Sequence, residues 1–257
     1  MRILLVTVSS LIACAIIFWT IKFWGRSLHY TPYDHPLYAS RDVSTPLLFI
    51  KPHNDNLESI LTDNHNLNNN LYLNVASTLD QKLIVPKKAW PSSKKPFRYT
   101  HYEDIKNEVF LLTDLKESLA GKKIIINLFE NAQAGHIIFY DEIKKMGWGD
   151  GENIIVTSPY EAMAKALKDI APRLLFGSTQ PEILRLVAMN SMGLIEAVTL
   201  RADIVIHPLR IKNQDFYDKN LLIELNHRYK KIIIGPLTEA EIATAKKLNP
   251  FGIIVEK

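Results

Sequence analysis

The sequence predicts an α/β fold: a TIM-type (β/α)8 barrel preceded by one N-terminal transmembrane helix. Three observations carry this reading. Residues 3–21 form an uncharged apolar run. Beyond residue 46, short β-rich apolar runs recur with little alternation, as strands buried on both faces require. Directly after three of them stands a hydroxyl residue followed three positions later by Glu, the sequence signature of a helix start. Strand, cap and helix in series make βα units, and a series of βα units makes a parallel sheet.

The composition supports a folded chain. Of 257 residues, 47% are hydrophobic and 23% charged, so a core can be buried. The single cysteine, Cys14, excludes an internal disulfide framework and a cysteine-rich zinc site. A formal net charge of +4 is too mild to point to nucleic acid, and none is expected as a partner. Neither GxGxxG nor GxxxxGK[ST] occurs, which counts against the nucleotide folds that carry those loops.

Residues 1–26 read as a membrane anchor. At 1.5 Å per residue the uncharged run extends about 28 Å, close to the hydrocarbon thickness of a bilayer. Arg2 flanks it on one side, and Lys22 and Arg26 on the other. Trp19, Phe23 and Trp24 sit where amphipathic rings favour the interface. A cleaved signal segment would have a shorter apolar core ending in small residues. Leu11-Ile12-Ala13-Cys14 also resembles a lipobox, but an apolar stretch follows where a polar tether is expected. The localisation expected is therefore a single-pass membrane protein, with its side of the membrane left open. Residues 27–46, rich in Pro, Ser and Tyr, read as a tether, and 47–257 as the barrel.

Within the barrel the strand candidates are Leu47–Ile50, Leu71–Val75, Leu83–Val85, Ile124–Leu128, Ile154–Thr157, Leu174–Phe176, Ile204–Ile206, Ile232–Ile234 and Ile253–Val255. Helix starts are expected at Ser158-Pro159-Tyr160-Glu161, Thr179-Gln180-Pro181-Glu182 and Thr238-Glu239-Ala240-Glu241. Eight or nine strands suit a small (β/α)8 barrel, with a doubly wound open sheet as the alternative. Five Asn between Asn64 and Asn70 suit a surface loop.

Functional residues of a parallel barrel lie at the C-terminal ends of its strands. The densest cluster there is His53-Asn54-Asp55. It can supply a general base and oxygen ligands for a cation, or equally a turn with Asp55 capping a helix near Leu57–Leu61. Lys51, Lys87, Lys88 and Glu130 follow other strand candidates. Lys51, Lys87 and Lys88, with Lys94, Lys95 and Arg98 nearby, can bind phosphate or form a solvated loop. His207 stands alone at a strand end, where a hydrogen-bonded structural role is commonplace.

The ordered set of segments resembles the glycerophosphodiester phosphodiesterase and phosphatidylinositol-phospholipase-C-like barrels over residues 47–257. Leu47–Asp55 resembles that family's first strand ending in its catalytic His, and His53-Asn54-Asp55 is similar to a His-Asn-Asp variant of it. Leu71–Val75 followed by Asp80–Lys87 resembles the segment that reads Glu-x-Asp, a turn, then a strand ending in His. Ile124–Asn131 resembles the later strand that carries a Glu. The resemblance implies Ca2+ or Mg2+ held by carboxylates, and two His acting as base and acid on a phosphodiester.

The matching positions depart from that pattern. Glu-x-Asp becomes Tyr72 and Asn74, the second His becomes Lys87, and the later Glu falls at Phe129 unless it shifts onto Glu130. Two neutral residues cannot hold a hard cation as two carboxylates do, so no cofactor is the stronger expectation. Asn54, Asp55 and Glu130 are the residual candidate metal ligands, and His53 and Lys87 the candidate catalytic pair. Lys51, Lys87 and Lys88 are the candidate phosphate contacts. The resemblance implies a membrane-held protein that acts on or binds glycerophosphodiesters or phospholipid headgroups, with ordinary metal-dependent hydrolysis impaired. The alternative is an inactive barrel serving as an anionic-ligand or protein-binding module. A Lys87 Schiff-base aldolase or lyase is a remoter alternative.

Overall fold

The computed structural model describes residues 2–39, 45–52, 57–62, 70–88, 94–149, 151–211 and 214–256. An apolar helix α1 (Arg2–Ser27) and a single turn α2 (Pro36–Ala39) precede the sheet. The strands and helices then alternate. β1 (Leu47–Lys51) leads to α3 (Leu57–Thr62), and β2 (Asn70–Ser77) to an antiparallel excursion of β3 (Leu83–Pro86), α4 (Tyr102–Ile105) and β4 (Val109–Leu111). β5 (Ile124–Leu128), β6 (Ile154–Thr157) and β7 (Leu175–Phe176) are followed by α5 (Gly135–Lys145), α6 (Glu161–Ile170) and α7 (Gln180–Ser191). β8 (Ile204–His207) carries a small ribbon, β9 (Arg210–Ile211) with β10 (Gln214–Asp215), before α8 (Lys219–His227). β11 (Lys231–Leu237), α9 (Glu239–Lys247) and β12 (Gly252–Glu256) complete the series.

Eight strands pair in parallel in the order β7-β6-β5-β2-β1-β12-β11-β8. The two outermost strands meet. Gly177 bridges to Ile204, the Asp203 N–H donates to the Phe176 carbonyl at 2.8 Å, and the Ser178 N–H to the Ile204 carbonyl at 2.9 Å. The Ser178 hydroxyl accepts from the Ile206 N–H at 3.0 Å and donates to the Ile206 carbonyl at 3.3 Å. The eight parallel strands therefore close into a barrel, not the doubly wound alternative, which leaves no open edge among these eight.

Alternation along each strand sorts the side chains. Phe49, Tyr72, Ile125, Ile155, Leu175, Ile204, Ile233 and Ile254 fill the interior. Their neighbours, such as Ile50, Leu71, Ile126, Val156 and Phe176, face the helices on one side, and Val205, Ile234 and Val255 on the other. Both faces being apolar explains the unbroken hydrophobic runs. All nine strand candidates form. β4, β9 and β10 were not legible as runs.

Two of the three expected capping boxes form. Thr179 and Glu182 reciprocate at the start of α7, and Thr238 and Glu241 at the start of α9. Ser158 does not cap: its hydroxyl bonds the Leu128 carbonyl and accepts from the Tyr160 N–H, and α6 starts later, at Glu161. There Glu161 pairs with Arg185, at 2.7 Å and 3.0 Å. Glu182 does more than cap. It is buried, and besides the Thr179 N–H and hydroxyl it accepts from the N–H groups of Arg201 and Ala202, at 2.8 and 3.2 Å. Replacing it by Ala strands these buried donors. Glu182→Ala is expected to lose about 3 kcal/mol in urea unfolding of the detergent-solubilised chain; a loss below 1 kcal/mol would contradict this account.

Residues 28–39 are not a free tether. They run across the N-terminal end of the barrel. The Tyr30 ring meets His227 and lies beneath the Arg228 guanidinium. The Tyr33 hydroxyl donates to the carbonyls of Pro172 and Arg173. Leu37 then plugs the barrel floor, where Tyr38 stacks edge-on against Phe251. Residues 40–44 of the expected tether lie outside the described residues.

His35 is buried beside this plug and its Nδ1 accepts the Leu37 N–H at 3.1 Å. Among the described residues its Nε2 has no partner. Burial lowers its pKa, against an opposing pull from Asp203. His207 is lowered likewise by burial, against its bond to the Pro208 carbonyl. The unfolded chain therefore takes up these protons first on acidification. Stability is expected to be full above pH ~6.5 and to fall as pH drops toward the lowered native values. His35→Asn, whose Oδ1 can take the same N–H, should flatten the decline in melting temperature between pH 7 and 5.

Candidate functional site

At the C-terminal end of the barrel, the inward positions one step above the apolar layer are Lys51, Asn74, Asn127, Thr157, Gly177, Ile206, Gly235 and Glu256. Strand register makes two level groups: Lys51 pairs with Glu256, and Asn74 with Asn127 and Asn127 with Thr157. Between β1 and β2 the register steps, Phe49 pairing with Asn70 and Ile50 with Leu71, so Lys51 stands at the height of Tyr72. The β6–β8 side of this ring is closed by packing, since a Cβ on Gly177 would come within 2.7 Å of Ile206 and 3.0 Å of Thr157. The polar side is formed by β12, β1, β2 and β5. There the Lys51 ammonium lies 2.9 Å from Glu256 Oε1, and the Asn127 side-chain amide donates to Asn74 Oδ1 at 2.8 Å. Tyr72 lies one layer below Asn74 on the same face, and burial pushes its phenol up to about 12. It is a neutral hydroxyl across the physiological range.

The sequence candidates distribute unevenly over this geometry. Lys51 lies in the ring. His53, Asn54 and Asp55 fall outside the described residues, next in sequence to Lys51-Pro52. Lys87 stands on the β3–β4 hairpin and not on a barrel strand. Its N–H donates to the Glu108 carbonyl, and its ammonium lies 4.6 Å from the centre of the Phe110 ring. Lys88 is exposed beyond it. In the flanking basic stretch Lys94 pairs with Glu108, and Arg98 lies over Tyr99.

Glu130 lies past the end of β5, where both carboxylate oxygens are taken up by the chain that crosses it. Oε1 accepts the Phe97 N–H and Oε2 the Arg98 N–H, each at 3.0 Å. It anchors the 94–99 segment to the barrel rim. Phe129 packs edge-on against Phe97. The β5 residue that faces the mouth beside Asn74 is Asn127, which sequence reading overlooked. An inward Asn two positions after Ile125, in phase with Asn74 of β2, was the available signal. His207 leans on Phe216, with ring centres 4.3 Å apart, away from the ring of inward residues.

These facts bear on a divalent cation. The three positions where strand-end ligands would converge hold a neutral phenol and two amides bonded to each other. The one carboxylate of the ring is paired with Lys51. Hard cations need several anionic oxygens, which Tyr72, Asn74 and Asn127 do not supply; the candidate ligands Asn54 and Asp55 lie outside the described residues. Among the described residues no three His, Cys, Asp or Glu side chains are grouped to hold a metal. Of the expected phosphate contacts Lys51, Lys87 and Lys88, only Lys51 stands on a barrel strand, where it pairs with Glu256.

No protein-family model matches the sequence. No curated protein matches it. Solved structures do. A candidate glycerophosphoryl diester phosphodiesterase from Silicibacter pomeroyi superposes with a TM-score of 0.65 at 12% identity, over 86% of this chain and 94% of its own. The chain has the fold of the glycerophosphodiester phosphodiesterases. The enzyme of that name from Agrobacterium tumefaciens gives 0.56 at 14% identity, over 81% of this chain and 95% of its own. A phosphodiesterase from Oleispira antarctica in complex with the product sn-glycerol-3-phosphate gives 0.59 at 12%, over 86% and 94%. On this phosphodiesterase fold, the mouth of the present chain offers hydrogen-bond donors where the resemblance implied carboxylates.

If charge alone separates this mouth from a cation site, restoring it should restore binding. Tyr72→Glu/Asn74→Asp/Asn127→Glu is expected to bind Ca2+ at least tenfold more tightly than the unaltered chain, by calorimetry in detergent. Equal, weak binding by both would show that something other than ligand charge governs the mouth.

Proposed function

We propose that this protein is a membrane-anchored barrel of phosphodiesterase fold that binds a phosphodiester or phosphomonoester group at its mouth, without cation-dependent hydrolysis. The observation that carries the reading is the composition of the strand-end ring. A neutral Tyr72 hydroxyl, the amides of Asn74 and Asn127, and the Lys51 ammonium all carry N–H or O–H groups that can donate to phosphate oxygens without a bridging metal. Glu256 would be displaced from Lys51 by the incoming anion. The phosphodiesterase fold, with a neighbour that holds glycerol-3-phosphate, supports the ligand class. The anchor reading rests on α1, whose Val6–Phe23 stretch has a mean hydropathy of 1.9 and is long enough to cross a membrane, as a signal sequence also can be.

The rival reading is hydrolysis with His53 as base and Lys87 assisting the leaving group. The full chain in detergent micelles should be offered glycerophosphocholine, glycerophosphoinositol and bis-p-nitrophenyl phosphate with Ca2+, Mg2+ or EDTA, beside His53→Ala. The expected outcome is no turnover above that variant, with glycerol-3-phosphate binding measurable by calorimetry. Lys51→Met should weaken that binding about tenfold, the worth of one charge-assisted hydrogen bond. Cation-dependent turnover lost in His53→Ala would reverse the reading in favour of the enzyme.

A further inference from the structure

The last turns of α1 dock on one particular end of the barrel. A Cβ on Gly25 would run into the Glu196 side chain, so helix and barrel are in direct backbone-level contact. The Lys22 ammonium reaches the Gly193 carbonyl at 3.3 Å, and Phe18 lies 4.0 Å from where a Gly193 Cβ would stand. Gly193 and Glu196 belong to the connection from α7 to β8, which enters the N-terminal end of its strand. The following residues hold to the same end, through Tyr30 at Arg228, Tyr33 at Pro172 and Arg173, and Leu37 in the floor. The polar mouth is at the opposite end. β12 alone climbs about 13 Å between Gly252 and Glu256.

Side-chain character agrees. Trp19 and Phe23 are exposed on α1. Beside the docking point Met192 is 55% exposed on the α7–β8 connection, and Ile223 of α8, 58% exposed, lines a cavity with Lys22. Apolar side chains next to an apolar helix, with a lysine at its end, are what an interfacial zone accommodates.

We infer that the anchor seats the barrel on the bilayer by its N-terminal end and turns the mouth away, so that the phosphate-bearing ligand comes from the aqueous phase and not from the headgroups of the same membrane. The inference rests on the anchor reading of α1. It assigns the ligand class as a water-soluble glycerophosphoryl or other phosphorylated compound. A headgroup in the protein's own bilayer would have to clear the height of the barrel to reach Lys51.

The test uses the full chain in vesicles, in a Cys14→Ser background, with a bimane label at Met192→Cys or at Tyr160→Cys. Both positions are exposed, and Tyr160 lies on the β6–α6 connection at the mouth end. Lipids brominated near the headgroup are expected to quench the label at 192 at least twofold more than the label at 160. Quenching that is stronger at 160, in chains that float with the vesicles, overturns the orientation while leaving the anchor intact. Chains that do not float overturn the anchor reading and the orientation with it. In a second arm, soluble glycerophosphoglycerol should protect Lys51 from acylation, as read by peptide mass, equally with the chain in phosphatidylcholine or phosphatidylglycerol vesicles. Protection by phosphatidylglycerol vesicles alone would overturn the aqueous source.

Discussion

The register of β1 with β12 and of β2 with β5 is the constraint on which the site depends. Parallel strands in register place residues of equal phase at equal height, and a closed barrel turns one phase inward. Once Phe49 faces the interior, Lys51 must face the mouth. Once Tyr72 and Ile125 face inward, Asn74 and Asn127 must stand side by side. No loop is needed to assemble the Lys51–Glu256 and Asn74–Asn127 pairs, and their geometry is as rigid as the sheet. The β7–β8 closure, made through Gly177, Ser178 and Asp203, keeps that phase from drifting.

The same constraint explains why the mouth differs in character from a cation site. A barrel places whatever residues occupy those phases at the focus of the strand ends. Carboxylates there would repel one another and call for a metal. Here the set carries one positive and one negative charge and a pair of amides joined by one hydrogen bond. In the proposed binding mode an anion would take the place of Glu256 beside Lys51. Glu130, past the end of β5, is committed to the backbone of residues 97 and 98 and serves architecture.

The N-terminal segment joins the barrel by a related economy of structure. Residues 28–39 form no regular element apart from one turn, yet each aromatic has a defined partner at the barrel floor. Gly25 allows the helix to approach the α7–β8 connection closely, so α1 and the barrel meet at a fixed place. The consequence is directional: helix at the floor, polar ring at the mouth, with the length of the strands between them.

The sequence by itself determined nine of the strands and the starts of α7 and α9, because continuous apolar runs and hydroxyl-x-x-Glu boxes are local signals whose physics needs no partner. It determined the long apolar helix for the same reason. The substituted positions Tyr72, Asn74 and Lys87 come from the family resemblance and not from spacing; the structure puts Tyr72 and Asn74 on β2 and Lys87 just past β3. What only the tertiary structure decided were relations across strands. That Asn127 and not Glu130 stands beside Asn74 depends on the register of β2 with β5. That Lys51 is neutralised by Glu256 joins residues from the two ends of the barrel sequence. That Ser158 caps nothing depends on its hydroxyl reaching the Leu128 carbonyl of the neighbouring strand. That residues 28–39 pack instead of tethering depends on a floor built from loops near 172, 193 and 228. Each is a contact between segments distant in the chain, and no periodicity within a segment encodes which distant surface it will meet.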